Sequence, residues 1–343
     1  MTLRWKAVAA LGIAAALGLT ACGSGSTEIK PVEQRESLLG SESAELRLKV
    51  GTTTAPNGHY VMGLLEMQRL LEEYSGGTMT LDIYPNSQLG NERDMMESVG
   101  LGIQEMALIS TGPIPNFVPE FSVLDFPYIF EDAVDAYEKL DGPLGQELLG
   151  MLESQRIYGV GFWENGFREL SNNTKEVLTP DDLKGMKIRT MENNVHIATY
   201  EALGATATPM AWSEIFTGLQ QGVVDGQENP IPIIETSRVY EVQKYISMID
   251  LFYSPCVLMI NKKLYDTFSE DQKNAFDRAA EEAKHWQRTY SQDYNAEAEE
   301  KMTADGVVIS DVDKEVWKQA ASPVYKDAGK FRITQEFLDK WTQ

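Results

Sequence analysis

Apolar and polar residues alternate over Leu46–Val50 and again over Met79–Tyr84, which predicts two strands. Between them Val61, Leu64, Leu65 and Leu71 share one helical face, and Ser75-Gly76-Gly77 stops that helix. Asn91–Val99 predicts a second helix with Met95, Met96 and Val99 inward, closed by Gly100 and Gly102, and Met106–Ile109 reads as a buried strand. Strand–helix–strand alternation of this kind points to βαβ units and a largely parallel sheet. Pro113–Pro127 is loop-like and rich in Pro and Phe. Helices near Ala133–Leu140 and Leu144–Glu153 and a strand at Ile157–Trp163 follow.

From Phe167 the pattern starts over. Phe167–Ser171, Met186–Thr190, Ala205–Pro209 and Val223–Asp225 read as strands, and His196–Leu203 and Trp212–Gln221 as helices. The chain therefore reads as two similar α/β lobes. Tyr245–Ile249 and Cys256–Asn261 carry it back between them, so that a hinge forms and ligands sit where strand ends face a cleft. Glu270 to about Asp305 has no Gly or Pro, and Phe276, Ala279, Ala283, Trp286, Tyr290, Tyr294, Ala298 and Met302 fall on one stripe. A helix of that length spans roughly 50 Å and would lie across both lobes. The rival reading is a coiled-coil partner helix. Clean a/d heptads are lacking, however, and the stripe is largely Ala and aromatic.

Composition narrows the partners. Lys and Arg number 30 against 52 Asp and Glu, a net charge of −22. Such a surface repels nucleic acid and anionic lipid, and any anionic ligand must be held by local cations against the global field. Arg4 and Lys6 precede the apolar run Ala7–Leu19, which is too short to span a bilayer as a helix. The run ends in Leu19-Thr20-Ala21-Cys22, which resembles a bacterial lipobox. That resemblance implies a signal peptide over 1–21, lipidation of Cys22, and attachment to the outer face of a membrane the chain does not cross. Residues 22–44 are Ser-, Gly- and Glu-rich without periodicity and read as a flexible tether. The other cysteine, Cys256, lies in an apolar stretch and reads as a buried thiol, so no disulfide framework exists.

Catalytic constellations are thin. His59, His196 and His285 lack metal-ligand spacing, and no nucleophile elbow, P-loop or dinucleotide fingerprint is present. Neither a metal nor a cofactor is expected. The more specific signal is cationic and amide chemistry in apolar surroundings: Arg168 in Gly166-Phe167-Arg168, Arg189 ending a strand, and Asn229 ending another. Strand ends of an open sheet converge on one crevice. There a guanidinium fork matches a carboxylate and an amide adds a donor. From spacing alone, each arginine reads more readily as an ordinary surface or lobe-internal salt bridge.

The segments Thr78–Gly102, Ser110–Phe130 and Gly161–Pro230 resemble the solute-binding proteins of TRAP (tripartite ATP-independent periplasmic) transporters. The matching pieces are Gln88-Leu89-Gly90, Asp125-Phe126-Pro127-Tyr128-Ile129-Phe130, Gly166-Phe167-Arg168, Pro209-Met210-Ala211-Trp212-Ser213-Glu214 and Gly222–Pro230. The resemblance implies an α/β, two-lobed, periplasmic-binding-protein-like (Venus flytrap) fold with a long helix spanning both lobes. It implies lobe I over 45–165 plus 255–294 and lobe II over 166–254 plus 295–343. It also implies that Arg189 clamps a substrate carboxylate, with Arg168 as second arginine, Asn229 as assisting amide and Trp212 packing on the ligand.

Thr52 and His59, after the first strand, and Thr111, after the strand ending at Ser110, complete the candidates. For His59 a satisfied histidine is as open as a pocket role. The function implied is an extracytoplasmic binding protein, not an enzyme, that delivers an organic acid to TRAP permease subunits. A secreted hydrolase or lyase, or a lipoprotein sensor, are the alternatives. The sequence Arg189-Thr190-Met191-Glu192-Asn193 departs from sialate-binding members. That leaves open a sugar acid, C4-dicarboxylate, 2-oxo acid or aromatic acid.

Overall fold

The computed structural model describes residues 38–342. In chain order the strands are β1 (Leu46–Gly51), β2 (Met79–Tyr84), β3 (Met106–Ser110), β4 (Ile157–Phe167), β5 (Glu169–Asn172), β6 (Lys187–Thr190), β7 (Thr206–Pro209), β8 (Gly226–Asn229), β9 (Tyr245–Met248), β10 (Tyr253–Asn261) and β11 (Val308–Asp311). They form two sheets, ordered β2-β1-β3-β10-β4 and β11-β9-β5-β8-β6-β7. Each supports one half of a two-lobed α/β fold.

Within each sheet the βαβ units are parallel, as the alternation predicts: β1 with β2 and β3, and β6 with β7 and β8. The sheets as wholes are mixed, however. Strand β10 runs antiparallel to β3 and β4, and β5 antiparallel to β8 and β9. The reason lies in the connections. A crossover helix returns a chain in parallel, whereas β5 and β10 arrive directly from the other sheet, through one residue (Arg168) and through 249–252.

The helix at Glu270–Ala304 runs for 35 residues and begins with a reciprocal capping box between Ser269 and Gln272. It packs on the His59–Tyr74 helix and β4 of the first half, and on the Ile231–Thr236 helix and β11 of the second. Its grip on β4 is polar as well as apolar. The Gln287 amide accepts the Glu164 N–H at 2.9 Å and donates to the Glu164 carbonyl at 2.7 Å, so a side chain stands in for a neighbouring strand. Among the described residues no helix is long and apolar enough to cross a membrane.

Two stretches differ from the sequence reading. The strand expected at Val223–Asp225 forms three residues later, as Gly226-Gln227-Glu228-Asn229, all buried, while Val223 is exposed. The end of the segment read as a tether is fastened to the first sheet. Leu39 bridges to Asp82, the Ser41 N–H donates to Glu72, and Arg47 holds both Asp82 and the Ser41 carbonyl. The signal sequence, Cys22 and the earlier part of the tether lie outside the described residues.

Candidate functional site

The last turn of β4 is irregular. Ser254 faces Gly166 and Pro255 faces Glu164, so Asn165 is the extra residue of a bulge. A bulge re-aims a side chain, and here the bulged Asn165 faces a cavity. Gly166 has φ +124°, and a Cβ there would meet the Pro230 ring at 3.2 Å, so a side chain is disfavoured twice. The chain then changes sheets at Arg168, whose N–H donates to the Phe252 carbonyl on the returning crossing at 2.9 Å.

The Arg168 side chain is 1% exposed. Its Nε donates to the Glu228 carboxylate, and Nη2 donates to the same carboxylate at 3.0 Å and to the Glu228 carbonyl at 2.7 Å. Burial alone would raise the Glu228 carboxyl, but Arg168 and His196 outweigh it and lower it to about 2. His196 in turn lies 3.1 Å from Asp125 and 3.5 Å from Glu228. Burial would favour the neutral ring, and these two carboxylates override it, so the His196 pKa is raised. Arg168 is thus a neutralised cation, fixed in place by a buried chain of acid and base.

Arg189 is different. It lies one residue before the end of β6, is 2% exposed, and donates from Nε and Nη2 to the Met210 carbonyl at 2.9 and 2.6 Å. Among the described residues it has no ion-pair partner. Burial, and then the charge of Arg168, lower its pKa to about 10. A buried guanidinium with no counter-ion is costly, and an arriving carboxylate is the group that relieves it. Asn229, at the end of β8, donates to Gln227, and Trp212 lies half-buried at the start of the 3-10 turn that follows β7.

These groups line one cavity with about 330 Å³ of atom-free space. Arg168, Arg189, Asn229 and Trp212 are on its wall, together with Met191 and Ile233. Thr53, Thr54, Tyr60, Glu92, Ser110 and Asn165 form the facing side. Thr52, His59 and Thr111 are not on the wall. Thr52 is fully buried behind it, next to Thr53 and Thr54, which are on the wall. Thr111 donates from Oγ1 to the Pro255 carbonyl at 3.2 Å, a bond that ties its loop to β10. His59 is wholly buried and stacks edge-on against Tyr60 with ring centroids 4.8 Å apart. Burial lowers its pKa to about 3, since the Asn165 backbone offsets little and neither ring nitrogen makes a hydrogen bond of normal geometry.

Glu92 is one of the wall residues the sequence reading lacks. It is the first residue of the Glu92–Leu101 helix, after the Asn91 cap, and its Oε1 accepts the Ser110 N–H at 2.8 Å. Among the described residues it forms no ion pair, and burial raises its pKa to about 7 despite that bond and the two arginines. Two more wall atoms lack partners, Thr54 Oγ1 and Asn165 Oδ1. Loops from the two sides meet at the rim of the cavity. Asn193 donates from Nδ2 to the Gly112 carbonyl and to Asp125 at 2.8 and 2.6 Å, and Asn116 donates to the Glu192 carbonyl at 2.8 Å. Among the described residues no group of three or more His, Cys, Asp or Glu is placed to hold a metal ion.

A family model described as "Bacterial extracellular solute-binding protein, family 7" matches residues 50–330. A solute-binding protein of Verminephrobacter eiseniae is 39% identical over 298 residues, 85% of this chain and 89% of that one. The C4-dicarboxylate-binding periplasmic protein DctP of Rhodobacter capsulatus is 32% identical over 298 residues, 85% of this chain and 88% of its own. Among solved structures, a TRAP periplasmic solute binding protein from Polaromonas, bound to D-erythronate, superposes with a TM-score of 0.83. It has 39% identity and covers 87% of this chain and 98% of its own.

Proposed function

Because this chain belongs to family 7 of the bacterial extracellular solute-binding proteins, the binding subunits of TRAP transporters rather than enzymes, we propose that it captures an organic acid in the cavity between its two halves. Arg189 takes the carboxylate, Asn229 adds an amide donor, Arg168 supplies a fixed second guanidinium, and Trp212 closes the apolar side. Lobe I comprises 45–165 plus 255–294 and lobe II 166–254 plus 295–343. The bound acid bridges them and favours the closed state by its differential affinity. The closed protein delivers its load to the permease subunits, tethered to the membrane through lipidated Cys22.

The observation that carries the reading is Arg189, a 2%-exposed cation on the cavity wall that forms no ion pair among the described residues. A charged hydrogen bond in such a site contributes roughly 1.5–3 kcal/mol. Arg189→Lys keeps a charge and loses the fork, so titration calorimetry with D-erythronate and D-galactonate is expected to show affinity lower by about tenfold or more. Wild-type affinity in that variant removes Arg189 from the site.

A further inference from the structure

Resting on that reading, we propose that the cavity is built for a singly charged hydroxy acid and rejects dianions, with Glu92 as the residue that discriminates. The argument is a charge balance. Two guanidinium groups reach the wall, but Glu228 already neutralises Arg168 through its carboxylate and its main-chain carbonyl. Arg189 is the wall guanidinium without an ion pair among the described residues, so it is the cation open to a ligand carboxylate, while Glu92 sets a negative charge against any second one. A second carboxylate entering the same space would meet no free cation, and would meet Glu92.

The rest of the wall points to hydroxyl groups. Glu92 is anchored through one oxygen by the Ser110 N–H, which leaves the other without a protein donor. Thr54 Oγ1 and Asn165 Oδ1 are further buried polar atoms on the wall without a partner, and ligand hydroxyls can satisfy them. A ligand carboxylate is an acceptor only and cannot serve an acidic oxygen, whereas a hydroxyl donates and accepts. A hydroxy acid therefore places its head group on Arg189 and its hydroxyls toward Glu92. Like charges brought together at a recognition site cost several-fold powers of ten in affinity when they are desolvated.

The test uses matched pairs that differ only in whether the far carbon is an alcohol or an acid: D-erythronate against meso-tartrate, and D-galactonate against galactarate. Calorimetry of the whole protein at about pH 8 is expected to show the monoacid of at least one pair bound and its diacid weaker by roughly 100-fold. In Glu92→Gln the gap should narrow by about tenfold or more. A diacid bound as tightly as its monoacid overturns the inference, and an unchanged gap in the variant removes Glu92 from it.

The wild-type protein gives a variant-free arm. Glu92 is faced by Arg189, Arg168, Glu192 and Tyr60. Lowering the pH to about 5.5 protonates Glu92 while both carboxyls of the tartrate stay ionised, so the gap should narrow there too. A gap that widens counts against the proposal. If no acid of either kind binds, the organic-acid reading itself falls.

Discussion

Glu228 holds Arg168 with both its side chain and its main chain, so a single residue fixes the guanidinium in the wall of the cavity. Arg189, in the same wall, has only the Met210 carbonyl. The two arginines that resemble each other in sequence therefore have different physical tasks. One is a structural cation with its charge balanced inside the fold, and the other is a cation whose charge no ion pair among the described residues balances.

Removing the balance should be costly. Glu228→Gln leaves Arg168 buried without its counter-ion, and breaking such a pair typically costs about 3–5 kcal/mol. Urea unfolding is expected to show a loss of that size. A loss within about 1 kcal/mol would mean that water or His196 compensates, and that Arg168 is not pinned by Glu228.

Arg189 should behave in the opposite way. Its folded pKa of about 10 lies well below the ordinary guanidinium range, so the unfolded chain binds the proton more tightly. Its charge therefore destabilises the empty fold at every pH below about 10, by an amount on the order of 3 kcal/mol. Arg189→Met is expected to raise the melting temperature of the empty protein and to abolish the rise that D-erythronate or D-galactonate produces. A variant that melts lower, yet still responds to the acid, would assign Arg189 a structural role.

The buried carboxyls make stability depend on pH with opposite signs. Glu92 titrates near 7 in the fold against an ordinary 4.5, so the folded protein holds that proton longer. Its contribution is most favourable below 4.5 and is lost as the pH rises through 7. Glu228, held to about 2, contributes above 4.5 and loses its contribution as the pH falls toward 2. Glu92→Gln should accordingly melt higher than wild type at about pH 8 and gain less at about pH 5. Equal gains at both pH values would show that Glu92 is not the group titrating.

Gly166 offers a geometric check. Its φ of +124° and the 3.2 Å approach to Pro230 predict that Gly166→Ala costs about 1–3 kcal/mol and displaces the Asn165 bulge. Gly185, with φ +82° and nothing within 4 Å of its would-be Cβ, is the control for backbone strain alone. Ligand affinity is expected to fall in Gly166→Ala and to hold in Gly185→Ala. Equal affinity in both would separate the bulge from recognition.

Much of this was legible in the residues. Alternation placed β1 and β2, a continuous apolar run placed β3, and the uninterrupted run from Glu270 gave the long helix to within a residue at its end. Arg168, Arg189 and Asn229 line one cavity, as the strand-end argument expects, and Trp212, which the family resemblance adds, lines it too. The misplaced strand shows where hydrophobic pattern fails. Val223 and Val224 carry the apolar signal, but the strand is the polar Gly226–Asn229, which is buried because its side chains serve the site rather than a core.

Glu92 could not stand out among 52 acidic residues, since what distinguishes it is burial and the lack of a basic partner. Asn165 reaches the cavity only through a bulge, for which the neighbouring Gly166 was the one available hint. Thr52 and Thr111 were sound guesses about which loops matter, but each is turned inward. In the first loop, Thr53 and Thr54 hold the wall positions instead.

The hydrogen bond between the Arg168 N–H and the Phe252 carbonyl stitches the outgoing and returning strands together where they pass from one sheet to the other. A door turns about its hinge pin, and what is mounted there hardly travels. If the lobes close on a ligand as proposed, Arg168 would occupy that place, whereas Glu92 and Arg189 would ride on the swinging leaves. An incoming acid would thus find the same guanidinium waiting whether the door stands open or shut, and only the second grip would have to arrive.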